Sequence, residues 1–164
     1  MIGFGVLAFY RWQQTHLIFF LLLVLRDFTA GYFFLKRKAA HSEGPHFLKV
    51  LAYVSSAMPL LYFDPTISSK TLFLISNLSV IIGFLIVVFA TIELGTSIGI
   101  SPANRGFVHT GIYRLIKHPM YLGYVVSEIG LAILNPLNTA IFLVSISLYI
   151  FRAKSENKAL QVIR

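Results

Sequence analysis

Long apolar runs along this chain are separated by short connectors rich in lysine, arginine, glycine and proline. A run of about 20 apolar residues matches the length of a helix crossing the hydrocarbon core of a bilayer. By that measure the pattern predicts spans at about Leu17 to Leu35, Phe47 to Phe63 and Thr71 to Leu94, followed by a hairpin from about Met120 to Phe151. Asn135-Pro136 divides the hairpin, because a residue before proline is pushed out of the helical region, and it leaves two short arms of about 15 residues each. The segment before the first span, Met1 to Tyr10, is apolar too. It has neither a basic n-region nor a small-residue cleavage site, which predicts an interfacial lead-in rather than a removable signal peptide. The pattern as a whole predicts an all-α, polytopic membrane helix bundle of about five transmembrane helices. It forms one membrane domain over residues 1–164, with three N-terminal spans in 1–94 and a loop, a helical hairpin and a C-terminal motif in 95–164.

Composition agrees with that solvent. Hydrophobic residues make up 57% of the chain and charged residues only 12%, where soluble domains average about 25% charged. The mean hydropathy is +0.77. A formal charge of +8 raises the question of nucleic acid, but the cations cluster beside apolar runs and form no solvated basic face for a duplex. Lys36, Arg37, Lys38 and Lys49 lie between the first two spans; Arg105, Arg114 and Lys117 lie between the third and fourth; Arg152, Lys154, Lys158 and Arg164 follow at the end. The opposite side holds Arg11 and Lys70. By the positive-inside rule the N-terminus is outside and the C-terminus cytoplasmic, so the basic loops of an integral multi-pass protein face the cytoplasm. With no cysteine, disulfides, thiolate metal sites and a cysteine nucleophile are excluded, and no metal site is expected.

Two features sit inside the spans. Arg26 and Asp27 fall near the middle of the first, where a charge costs roughly 2.5–3.5 kcal/mol on the insertion scale, so they are expected to face the bundle interior. Neighbours in sequence point in different directions on a helix, which predicts other partners for them, with Glu93, Glu128 and Arg152 as candidates. In the third span Ser76, Ser79 and Gly83 recur at helical spacing, a pattern for close helix packing in lipid.

The connector from Gly95 to Lys117 is longer than an ordinary loop, and such loops are commonly functional. Its glycines and Pro102 permit tight turns and close approach to a ligand. It leads into "GIYRLIKHPMYLGY", residues 111–124. Pro119 suits the first position of a helix, where its missing N–H costs nothing, and the exposed N–H groups of that first turn favour anions beside His118 and Tyr121.

"GIYRLIKHPMYLG" resembles the G-x-Y-x-x-x-R-H-P-x-Y-x-G signature of the isoprenylcysteine carboxyl methyltransferase and phospholipid methyltransferase group of membrane enzymes. Downstream, "RAKSENKAL" is similar to that group's R-x-x-x-E-E-x-x-L ending, and upstream "ELGTSIGISPANRGFVHTG" fits the loop of its bacterial members. The resemblance implies S-adenosylmethionine as cofactor. It implies that Val108, Tyr113, His118, Pro119, Met120 and Tyr121 line the cofactor pocket, that Glu156 closes it, and that Arg152 lies on the substrate side as the catalytic residue. Arg152 and Glu156 are one helical turn apart and share a face. Lys117 stands where the signature has arginine, keeping the charge without the bidentate fork, and Asn157 stands where it has a second glutamate.

Methyl transfer from a sulfonium to a carboxylate joins a cation and an anion into neutral products, so a dry pocket that aligns the partners favours it. A carboxylate on an isoprenoid or other lipophilic molecule, reached from the membrane lipids, is the acceptor expected here. It needs no general base, and Arg152 suits it. Three other readings stay open. They are a phospholipid N-methyltransferase; an NADPH-dependent enzyme resembling sterol reductases, using Arg105, Arg114 and Lys117 for phosphates; and a non-catalytic membrane scaffold.

Overall fold

The computed structural model describes residues 2–36, 42–43, 45–97, 103–104 and 110–161. The fold is all-α. Among the described residues six helices follow in order: α1 (Ile2–Thr15), α2 (Ile18–Leu35), α3 (His46–Ala57), α4 (Lys70–Leu94), α5 (Pro119–Leu134) and α6 (Pro136–Gln161). Single 3-10 turns lie at Met58–Leu61, Gly95–Ser97 and Gly111–Arg114. Two short strands, β1 (Ser42–Glu43) and β2 (Ala103–Asn104), pair antiparallel, with Ser42 opposite Asn104, and so join the connectors after α2 and α4.

Among the described residues three helical stretches are long and apolar enough to cross a membrane: Ile18–Leu35, Lys70–Ser97 and Pro136–Lys158. His46–Leu61 and Pro119–Leu134 are apolar but shorter. The first and third expected spans thus appear as α2 and α4. The second is cut short. α3 ends at Ala57, and the chain tightens into the turn containing Pro59, a residue that gives no N–H to a continuing helix. The hairpin arms are unequal, not matched: α5 has 16 residues and α6 has 26. α6 runs unbroken through the basic segment where an end was expected near Phe151.

The N-terminal segment is more than a lead-in. α1 turns at His16, which has a positive φ of 50°, and folds back antiparallel along α2. Gly5 lies against Asp27 and Phe28, and the Arg11 guanidinium sits over the Phe20 ring at 5.1 Å. A Cβ on Gly5 would come within 3.3 Å of the Asp27 Cβ, so the absent side chain permits the close approach.

α4 and α5 pack as an antiparallel pair through small residues. Ideal Cβ atoms on Gly83 and Gly123 would lie 2.5 and 2.6 Å from each other's carbonyl oxygen, and Gly130 lies against Ser76. Ser79 Oγ donates to the Val126 carbonyl at 2.6 Å. The small-residue stripe of the third span therefore packs helices as expected. Ser69 caps the start of α4, its Oγ accepting the Leu72 N–H, and Gly95 ends it at φ 48°. At the α5–α6 turn Asn135 is extended; its Oδ1 accepts the Leu137 N–H at 3.0 Å and its Nδ2 donates to the Asp64 carbonyl at 2.7 Å. Phe19, Phe20, Leu23, Tyr62, Val80, Phe84 and Leu131 form the buried core between α2, α4 and α5.

The intramembrane charges differ from expectation. Arg26 and Asp27 pair with each other, Nε and Nη2 donating to Oδ1 at 3.0 and 2.5 Å, and both are buried. The long arginine arm bends back to a carboxylate that its own backbone position does not face. Of the three candidate partners, Glu93 accepts the Ile112 N–H, Glu128 accepts the hydroxyls of Tyr62 and Tyr149, and Arg152 donates to Ser55.

Candidate functional site

The site is built at the N-terminal end of α5, the end away from Asn135. Pro119 occupies the first position of that helix. His118 precedes it with φ −132° and makes no side-chain cap. Its imidazole instead turns to α6, with Nε2 at 3.1 Å from Asn157 Oδ1 and Nδ1 at 3.5 Å from Glu156 Oε2. Tyr121 is three residues on, and its hydroxyl donates to Glu156 Oε1. The Tyr121 ring lies 5.8 Å from the imidazole, stacks on Tyr149 at 5.7 Å and 17°, and carries the Arg152 guanidinium at 5.2 Å. Tyr149, Arg152 and Glu156 recur at three and four residues along α6, which puts all three on the stripe facing Tyr121.

The turn Gly111–Arg114 is held against the same end by the last turn of α4. Glu93 Oε2 accepts the Ile112 N–H at 2.9 Å. Gly111 has φ 46°, and a Cβ there would run into the Glu93 carboxylate; both the torsion and the space call for glycine. This clamp sets Tyr113 beside the site. Burial, and after it the negative Glu156, push the Tyr113 phenol well above its usual range, so it is present as a neutral hydroxyl at ordinary pH.

The structure thus brings Tyr113, His118, Tyr121, Arg152 and Glu156 together; at the start of the same helix Pro119 is buried and Met120 partly buried. Val108 lies outside the described residues. Three contributors escaped the sequence reading. Tyr149 stacks under Tyr121; its place on the α6 stripe was a signal that pointed to it. Ser55 holds Arg152 from α3, and nothing local in the sequence marked it. Glu93 anchors the Gly111 turn rather than an intramembrane cation.

Exposure is graded. The side chains of His118 and Glu156 are 21% and 27% exposed, whereas Arg152 is 8% exposed. A carboxylate and an imidazole near the surface thus give way to a buried guanidinium wrapped by aromatic rings. Below them Tyr149 and Tyr62 donate to Glu128 at 2.6 and 2.8 Å, and Arg26 lies over Tyr124 at 5.3 Å.

The family model of the isoprenylcysteine carboxyl methyltransferase (ICMT) family matches residues 78–162, just over half of the chain. The chain belongs to that family. Its matched segment runs from mid-α4 to the end of α6 and contains every side chain of the cluster except Ser55. Membership makes the protein a membrane methyltransferase, and ICMT-family methyltransferases generally use S-adenosylmethionine. No curated protein and no solved structure matches the chain. The donor set is chemically suited to that cofactor: a partly exposed carboxylate and several aromatic faces complement a sulfonium and an ammonium, and a neutral phenol and an imidazole offer hydrogen bonds to polar edges.

Proposed function

We propose that this protein transfers a methyl group to a carboxylate on an isoprenoid or other lipophilic molecule. The observation that carries the proposal is the convergence of Glu156 and Arg152 on the single ring of Tyr121. It puts an anionic group and a cationic group side by side with opposite exposure. S-adenosylmethionine, when bound, supplies a sulfonium-activated methyl group. Tyr113, His118, Pro119, Met120, Tyr121 and Glu156 would hold it, with Val108 added from the preceding segment. Arg152 is the residue for the acceptor: its guanidinium is fixed, buried and suited to grip one oxygen of a carboxylate while the other faces the methyl donor.

An ionised carboxylate has no proton to lose, and the site matches that demand. The Glu156 carboxylate is engaged by Tyr121 and faces His118, and the Tyr113 phenol stays protonated. The work left to the protein is alignment and exclusion of water. Burial of Arg152 and the aromatic wall serve the second task. The acceptor reaches Arg152 from the bilayer, consistent with an apolar exterior on α4 and α6.

The layout we favour has the site and the end of α6 at the cytoplasmic face. The expected outer N-terminus does not go with it: the His16 turn lies at the outer end, and α1 runs from there back along α2, so its first residues point toward the site side. Arg11, Asp64 and Asn135 gather at the opposite end of the bundle from Arg114, Lys117 and the end of α6, which supports the charge asymmetry along the sequence.

Thermal unfolding of the detergent-solubilised protein with S-adenosylhomocysteine and, separately, with NADPH tests the reading. Stabilisation by the former alone is expected, and it should vanish in Glu156→Ala. Transfer of radiolabelled methyl to N-acetyl-S-farnesylcysteine tests the acceptor class. Stabilisation by NADPH, or by neither compound, sinks the proposal.

A further inference from the structure

Ser55 lies on α3, before the segment that the family model matches, yet its side chain reaches Arg152. The Arg152 Nη1 group donates to Ser55 Oγ at 2.8 Å. The Ser55 hydroxyl in turn donates to the Ala52 carbonyl at 3.0 Å. That second bond decides the orientation: with its one proton given to the backbone of its own helix, the oxygen presents lone pairs to the guanidinium. Ser55 is 1% exposed and Arg152 8%, so water does not compete for the contact. The Tyr121 ring holds the same guanidinium from α5 at 5.2 Å. Arg152 is thereby fixed by three helices, its own, α5 and α3.

We propose that Ser55 is a positioning residue for the methyl acceptor: it sets the rotation of the Arg152 guanidinium. This deepens the reading of Arg152 as the acceptor-carboxylate group and rests on it. A guanidinium carries five N–H donors in a fixed plane. Tying Nη1 to a helix-anchored hydroxyl fixes which edge of that plane an incoming carboxylate meets. Without the tie the charge remains, but the plane turns about its side-chain bonds, and the acceptor oxygen loses its alignment. α3 is thus part of the acceptor side of the site. A second consequence is that alignment depends on how α3 seats against α6.

Two measurements on the full-length protein in detergent micelles decide the matter, each on wild type, Ser55→Ala and Ser55→Thr. The first is the rate of Cζ–Nη rotation of Arg152, read by nitrogen-15 exchange NMR and assigned with Arg152→Lys. Slow rotation in wild type, faster rotation in Ser55→Ala and recovery in Ser55→Thr are expected. The second is methyl transfer to N-acetyl-S-farnesylcysteine. A loss of kcat/KM of roughly tenfold in Ser55→Ala is expected, the scale of a lost hydrogen bond to a charged group. Recovery in Ser55→Thr and no further loss when Ser55→Ala is added to Arg152→Lys should accompany it. Unchanged binding of S-adenosylhomocysteine in Ser55→Ala separates this role from a structural one. If Arg152 rotates equally fast in wild type and Ser55→Ala, the proposal is overturned, whatever the activity. A rotational difference between wild type and Ser55→Ala, together with no binding of S-adenosylhomocysteine by wild type, overturns the methyltransferase reading and the acceptor role with it.

Discussion

The Tyr121 hydroxyl on α5 donates to the Glu156 carboxylate on α6, closing the two arms of the hairpin over the end that carries His118. Under the proposed function Glu156 serves a cationic ligand and must also be held in its absence, and this phenol is placed to do so. We predict that Tyr121→Phe weakens S-adenosylhomocysteine binding by roughly 10- to 100-fold, in line with the ~1.5–3 kcal/mol of a hydrogen bond to a charged group. Glu156→Ala should abolish binding. Isothermal titration in detergent measures both, and equal affinity in Tyr121→Phe and wild type would contradict the role of the contact.

Gly111 makes a sharper case, because two independent constraints meet in one residue. Its φ of 46° is strained for any side chain, and a Cβ would collide with Glu93. Gly111→Ala should cost about 1–3 kcal/mol locally and displace the turn that carries Tyr113. Adding Glu93→Ala removes the collision, so the double variant should recover part of the loss, leaving the torsional cost and that of the lost Ile112 N–H bond, which Glu93→Ala alone reports. Cofactor affinity, compared with the thermal midpoint across the three variants, gives the answer; full recovery in the double variant would mean that the torsion carries no cost.

Arg26 and Asp27 predict a non-additive pair. Each is buried, and each is the other's ionic partner. Removing one partner of a buried pair costs about 3–5 kcal/mol, because the other charge is left uncompensated, whereas replacing both by apolar residues is often near neutral. Arg26→Leu should therefore destabilise far more than Arg26→Leu combined with Asp27→Leu. Unfolding in graded denaturant ranks them, and additive losses would dismiss the pair.

The Tyr113 phenol carries a pH signature. Its folded value is raised above the unfolded value of about 10 by burial and then by Glu156. Above pH ~10 the unfolded chain releases that proton first, so the folded state binds more protons and stability falls as pH rises through this range. Tyr113→Phe should flatten the alkaline part of the thermal midpoint against pH. An unchanged slope in that variant would assign the decline to other groups.

Much of this arrangement was legible because the deciding signals are local. Pro119 after His118 marks a helix start, Asn135-Pro136 marks a turn, and Arg152 with Glu156 marks one face of a helix; each needs only a few residues to be read. The errors arose where the outcome depends on three-dimensional partners. Arg26 found its carboxylate next door because a long flexible arm can defeat the angular separation of the helix. Glu93 and Glu128 were drawn instead to a backbone N–H and to phenols brought from other elements. Ser55 and Arg152 are joined only once α3 has packed on α6, so no window of sequence contains that contact. Pro59 did carry a local signal, and hydropathy alone passed over it when the second span was drawn through to Phe63.

The unbroken course of α6 has a mechanical consequence. From Pro136 to Glu156 the helix rises about 30 Å at ~1.5 Å per residue, and its near end is pinned where Asn135 grips the Asp64 carbonyl. A rigid lever of that length turns a tilt of only about 2° into a displacement of about 1 Å at its tip. Ångström-scale error is what an alignment-driven reaction tolerates least. The thickness of the surrounding bilayer, by setting the lean of one rod, thereby acts on the distance between a carboxylate and a phenol at the far surface.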